Sequence, residues 1–454
     1  MKRNIYILYL YVATIIVTGS TCKKFVQVDP PETQAELSKI FADDQTANAA
    51  AAGLYYQMMA SNLSFCNGGI SVYTGMSADE FANTVTNSTY DAFKNNSLLA
   101  SNSTVLSTFW TNPYRNIYQV NAVLEGLQQS QTLSVASKNK LRGEMLFMRA
   151  YHYFYLINLF GPVPYETVTD FKTNSVMGRT AEDRVYQGIT TDLLEARLLL
   201  GDSYSSATNL RPDKDAATAL LARVYLYRKN WKDAEAMATE LIGSGKYSLD
   251  NVANVFLTTS RETIYQVSRA NANTAEGTLF NPSSTTARPT FALTTNLLNA
   301  FETGDLRKTN WLKSNTVSSV VYYYPYKYKV RATSPVSEYN IFLRLSEQYL
   351  IRSEARANQS NVSGAISDID AIRSRAGLST IQSTNPGISS TALLTAIAQE
   401  NQIEFFAEWG HRWLDLKRTG KTDEVLGGLK RGELANNRPA FPDPLRPNPG
   451  QSIP

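Results

Sequence analysis

The sequence predicts a mainly α fold: a scaffold of helix pairs with long loops and a small irregular insert containing short strands. Residues 142–165, RGEMLFMRAYHYFYLINLFGPVPY, carry two apolar stripes at helical spacing and then stop abruptly. Two later segments repeat a helix–turn–helix layout, and the stretch between them loses helical periodicity in favour of Ser, Thr, Pro and Tyr.

The first observation fixes the scaffold's centre. Leu141, Met145, Met148, His152, Tyr155 and Leu159 form one stripe, and Leu146, Ala150, Tyr153, Ile157 and Phe160 form a second, so the helix must lie between layers. Gly161 can take the conformation that ends a helix, and Pro162 and Pro164 forbid its continuation.

Composition narrows the function classes. With 454 residues, 43% hydrophobic and 19% charged, the chain buries a large core. Its net charge of +4 comes from 44 basic and 40 acidic residues with no dense Lys/Arg cluster, which argues against nucleic-acid binding. Lys2 and Arg3, the apolar run 5–17 and the small residues before Cys22 read as a signal peptide over 1–21. TGSTC resembles the end of a bacterial lipoprotein signal, so Cys22 is the expected lipidation site and residues 22–42 the lipid anchor and tether. Once Cys22 carries lipid, Cys66 has no disulfide partner, and its setting suggests a small, partly buried hydrophobe.

Further elements follow in order. An N-terminal helical scaffold is expected over 43–250, opening with an Ala-rich helix over 43–60 whose packing face holds Leu54, Tyr55 and Met58. Residues 61–102 turn to Asn, Ser, Thr and Gly with scattered aromatics and read as a long loop. A helix is expected over 181–200. ARVYLYRKNWKDAEAMATELI then runs helix, turn at Asn230, helix; SEARANQSNVSGAISDIDAIR repeats this with Asn361 at the turn. Both resemble tetratricopeptide units, which bury one face each and therefore stack. Between them, 251–340 reads as an irregular insert in which Tyr324, Tyr326, Tyr328 and Val330 alternate with Pro325, Lys327 and Lys329, as in an edge strand. Residues 341–420 complete the scaffold, and 421–454 form a Pro-rich tail.

Catalytic signals are weak. The two histidines, His152 and His411, each sit among bulky aromatics, and no HExxH or paired Cys-x-x-Cys occurs, so neither a metal nor another cofactor is expected. GSGK at 243–246 lacks the remaining phosphate-loop residues, and its glycines read as a helix end. Glu404, Arg412, Asp415 and Arg418 read as ion pairs or caps holding the last helices rather than a glycosidase carboxylate pair, and Arg149 as a partner for a structural carboxylate. No enzyme is indicated.

Four blocks carry a family likeness: FVQVDPPET, GEMLFMRAYHYFYLINLFGPVP, YLIRSEARAN and IEFFAEWGHRWLDLKRTGK. In residues, order and spacing the chain resembles the SusD/RagB family of nutrient-binding lipoproteins. The resemblance implies a SusD-like fold and a protein that captures an oligosaccharide or another large nutrient and delivers it to a SusC-like TonB-dependent outer-membrane transporter. It also implies an outer-membrane location through a lipid anchor, exposed at the cell surface. Holding a sugar without cleaving it needs flat aromatic faces and amide or hydroxyl groups. By loop position in the resemblance, the expected ligand-binding residues are Tyr73, Tyr90, Trp311 and Tyr322, with Asp79 and Asn83 as polar partners and Phe65 a weaker choice. The alternative is a tetratricopeptide-type scaffold that binds peptide or protein rather than glycan.

Overall fold

The computed structural model describes residues 37–201, 208–430 and 441. The expected signal peptide, Cys22 and, apart from Phe441, the Pro-rich tail beyond residue 430 lie outside the described residues.

Helix α1, Asp44–Met59, starts where Asp43 accepts from the Thr46 N–H at 2.8 Å, and it buries Leu54, Tyr55 and Met58 as the spacing predicts. Residues 61–102 depart from the expected loop. They form α2 (Gly69–Ser77), β1 (Phe81–Asn83) and α3 (Ser88–Lys94). The polar residues that suggested a loop are small buried residues and caps: Ser71, Thr74 and Ser77 are buried on α2, and Asn87 caps α3.

After a π-helical turn at Val105–Thr111, α4 (Asn112–Gln129) leads into α5, Val135–Phe160. Both predicted stripes of α5 are buried, because it packs against α1, α4, α6 (Glu182–Leu200) and α7 (Lys214–Tyr227). Each large apolar side chain so buried contributes roughly 1.5–3 kcal/mol relative to exposure. Close approach of α6 depends on Gly143, where a Cβ would lie 2.7 Å from Leu200 Cγ. At the far end Gly161 has φ 75° and ψ −139°, and the helix stops there.

The two helix pairs form as the repeat implies. α7 is followed by α8 (Trp231–Gly243), and α9 (Leu345–Asn358) by α10 (Val362–Arg375). Asn230 and Asn361 cap the second helix of their pairs, and Ala234 and Ala365 are fully buried at matching places. α8 packs on α9, where Arg356 joins both pairs, reaching Glu235 at 2.8 Å and Asp368 at 2.9 Å. α11 (Ser390–Phe405) and α12 (His411–Thr419) close the scaffold.

The insert carries short antiparallel pairs. β2 (Thr263–Val267) pairs with β6 (Asn340–Arg344), β1 with β3 (Phe291–Leu293), and β4 (Leu312–Val317) with β5 (Val320–Pro325). The expected strand through 324–330 is cut short at Pro325. Tyr326 donates its N–H to the Trp311 carbonyl at 2.7 Å, and the chain turns inward. Lys327 is consequently buried, with its ammonium 2.6 Å from the Glu404 carbonyl and 2.5 Å from Glu408.

That lysine belongs to an ion network under the insert. Arg307 meets Asp305, Glu400 and Glu404; Arg344 meets Glu262, Glu404 and Glu408; Arg375 meets Glu262 and Glu404. Well-packed apolar residues could match such a network in stability, but losing one partner strands the others, so it fixes how insert and scaffold fit.

Candidate functional site

β1 hydrogen-bonds to β3, and β3 lies beside β5, so residues far apart in sequence gather around residues 284–291. Tyr90 on α3 meets Phe291 edge-on, with ring centres 5.1 Å apart. Asn83 pairs with Phe291 in the strand register, and its amide donates to the Val85 carbonyl at 2.7 Å and to Asp91 at 3.1 Å. Lys94 binds the same Asp91 carboxylate at 2.8 Å; these side-chain hydrogen bonds hold Asp91 below its ordinary range. Tyr322 on β5 lies under Arg288, whose guanidinium is 5.3 Å from the ring centre. Asn83, Tyr90 and Tyr322 are all half-buried. They share one neighbourhood.

The turn at 284–287 is held from below. Asn315 on β4 donates to the carbonyls of Ser284 at 2.9 Å and Ala287 at 2.7 Å. Arg288, Phe291 and Asn315 are the residues that sequence reading missed. An arginine inside a Ser/Thr/Pro run was the available signal for the first; the role of Asn315 depends on a contact to a distant turn and leaves no local trace.

Three expected ligand residues are corrected by burial. Trp311 has 0% exposure, donates its indole N–H to the Val252 carbonyl at 2.8 Å and packs edge-on against Phe256 at 5.5 Å. The Lys327 ammonium lies 4.6 Å from its ring centre, so no face is open to a sugar. Tyr73 lies on α2 among Phe93, Phe109 and Tyr90, with ring centres 4.6, 5.8 and 6.1 Å away, and burial pushes its hydroxyl up to about 12. Asp79 is clamped by Arg412, which donates to its two oxygens at 2.8 and 2.9 Å. Phe65, the weaker choice, is fully buried as well.

The motifs read as structural behave so. Arg149 grips Asp192 at 2.7 and 2.8 Å, and Arg418 binds Glu354 and Asp415. His152 donates from Nδ1 to the Met148 carbonyl at 2.7 Å, leaving Nε2 to accept from Asn116 at 3.0 Å; burial lowers it to about 4. His411 stacks on Phe405, ring centres 4.6 Å apart. Cys66 is buried, which pushes its thiol up. Gly243 ends α8, and Lys246 of the GSGK segment pairs with Asp215 at 2.9 Å. That pair lines a polar cavity of 320 Å³ beside the start of α7. Among the described residues no group of His, Cys, Asp and Glu could hold a metal ion, and no helix is long and apolar enough to cross a membrane.

The geometry defines a stacked helix-pair scaffold presenting a tyrosine-bearing face on a strand-containing insert. A family model described as "Starch-binding associating with outer membrane" matches residues 35–226, and one described as "SusD family" matches residues 260–442. The chain belongs to the SusD/RagB family. It is 24% identical to SusD-like protein P38 of Formosa agariphila over 94% of this chain and 93% of that protein. It is 26% identical to SusD-like protein P25 of the same organism, over 56% of this chain and 49% of the relative, so it spans about half of that protein's length. A solved laminarin binding SusD-like protein superposes with TM-score 0.75 at 24% identity, covering 88% of this chain and 96% of that one. A SusD superfamily protein from Bacteroides vulgatus gives TM-score 0.75 at 19% identity, covering 89% and 96%. Both structural likenesses concern the fold.

Proposed function

We propose that this protein binds an oligosaccharide at the face around residues 284–291 and delivers it to a partner TonB-dependent transporter, held at the outer membrane by lipid on Cys22. The observation that carries the reading is that Tyr322, Tyr90 and Asn83, each half-buried, gather around residues 284–291. Tyrosine rings offer flat surfaces to the C–H face of a sugar, and an amide can meet its hydroxyls. Relatives named for binding laminarin and starch support a glycan as ligand. Binding, release and handover are the whole task. An open face buries few sugar rings, so affinity for a free glycan is modest.

Affinity electrophoresis in gels containing laminarin or starch, extended to a wider glycan panel, tests the site. Wild-type protein is retarded by at least one glycan, and Tyr322→Ala loses that retardation; equal retardation of both forms refutes the assignment. The anchor is tested separately by Cys22→Ala in cells lacking the transporter, where the variant leaves the membrane fraction. Membrane partitioning at the wild-type level would refute it.

A further inference from the structure

Cross-strand partners in an antiparallel pair project to the same face. Lys313 pairs with Tyr324 and Asn315 with Tyr322, so Lys313, Tyr322 and Tyr324 line one face of the β4–β5 hairpin. Tyr326 continues the row, its ring perpendicular to that of Tyr324 at 6.3 Å. Cations sit along this row: Arg288 lies over Tyr322 at 5.3 Å, and Lys313 and Lys329 lie over Tyr326 at 4.8 and 5.9 Å.

Among the described residues none of these three cations makes an ion pair. Among the described residues the Arg288 guanidinium makes one long hydrogen bond, to the Thr84 carbonyl at 3.5 Å. Nearby carboxylates are already engaged: Asp91 with Lys94 and Asn83, and Glu338 with the backbone N–H groups of Lys329 and Val330 at 2.7 and 3.1 Å, the Lys329 ammonium adding a longer-range attraction to Glu338 that leaves Arg288 and Lys313 as the cations without a carboxylate. On the helical scaffold, by contrast, Arg149, Arg352 and Arg418 each grip a carboxylate through two nitrogens. Arg288 and Lys313 are exposed, and a cation–π contact at an exposed site is weak enough to yield to an incoming anion. The guanidinium fork also fits the paired oxygens of a carboxylate or sulfate.

We infer that the face selects an anionic glycan, whose sugar rings stack on Tyr322 and Tyr326 while Arg288, Lys313 and Lys329 take its carboxylate or sulfate groups. The inference rests on the glycan-binding reading above and adds the charge class of the ligand.

The test is titration calorimetry of the folded protein against an oligogalacturonate, a sulfated galactan oligosaccharide and a neutral glucan of equal length, at low and high salt. At least one anionic oligosaccharide binds, more weakly at high salt, and Arg288→Ala and Lys313→Ala each weaken it by about tenfold while Arg288→Lys keeps part of the affinity. Which anionic arm binds tells carboxylate from sulfate. Both alanine changes fall on exposed side chains, and an unchanged melting temperature confirms folding. Preference for the neutral glucan, abolished by Tyr322→Ala, overturns the charge inference and leaves the glycan reading standing. Anionic binding that neither alanine change alters also overturns the inference. Failure of all three oligosaccharides to bind overturns both readings.

Discussion

Trp311 and Tyr322 belong to neighbouring segments of one insert, yet they face opposite environments. Trp311 ends the short helix Leu306–Trp311 and is enclosed by Phe256, Phe406 and the Lys327 ammonium. Tyr322 stands half-buried on the hairpin with the exposed Arg288 across its ring. Both rings meet cations, so ring chemistry does not separate their roles. What separates them is what holds the cation: Lys327 is fixed by Glu408 and the Glu404 carbonyl, whereas Arg288 has no anionic partner among the described residues and can be displaced.

The comparison can be tested by substitution on each side. Trp311→Ala should cost about 3–5 kcal/mol in urea unfolding, through lost burial and an unfilled cavity; a loss under about 0.5 kcal/mol, the scale of an ordinary surface change, would show that the ring is not the insert's internal support. Asp79→Ala strands Arg412 at a largely buried site and should cost about 3 kcal/mol, read in the same assay. If Asp79 were instead a ligand contact, stability would hold and binding would fall.

Glu276 tests the buried side by pH. Burial raises its carboxyl from 4.5 to about 7, with its oxygens accepting from Asn340. The native state therefore holds this proton more tightly than the unfolded state does. Its contribution is full below about pH 4.5 and is lost as pH rises through about 7. Glu276→Gln should flatten that slope and stabilise the protein by about 2 kcal/mol at pH 8. An unchanged slope would mean that the carboxyl is hydrated. The smallest stability effect belongs to Tyr322→Ala, within about 0.5 kcal/mol of wild type, accompanied by loss of glycan binding. A large destabilisation there would erase the contrast with Trp311.

The scaffold was legible because its signals are local. Two stripes, Gly161 and the prolines specify α5, and Asn230 and Asn361 mark turns that they cap in the structure. The family likeness rested on blocks that now prove structural: Arg412 clamps Asp79, and Glu404 and Glu408 anchor the buried arginines. The site was less legible, since polar composition around residue 70 looked like a loop while the residues capped and filled helices. Aromatics in such a segment carry no mark of which way they face. Lys327 was misread for a related reason: alternation set it opposite the tyrosine row, and its burial depends on the distant Glu408 carboxylate and Glu404 carbonyl.

The Asn315 clamp has a consequence for divergence. It grips the turn through the carbonyls of Ser284 and Ala287, groups that every residue type possesses. The side chains of Thr285 and Thr286 are exposed, and beyond a hydroxyl contact between Ser284 and Thr286 at 3.2 Å they take no part in the clamp. Mutation can therefore re-letter the turn while its path stays fixed, so descendants of this chain can vary the surface presented there without rebuilding the frame beneath it.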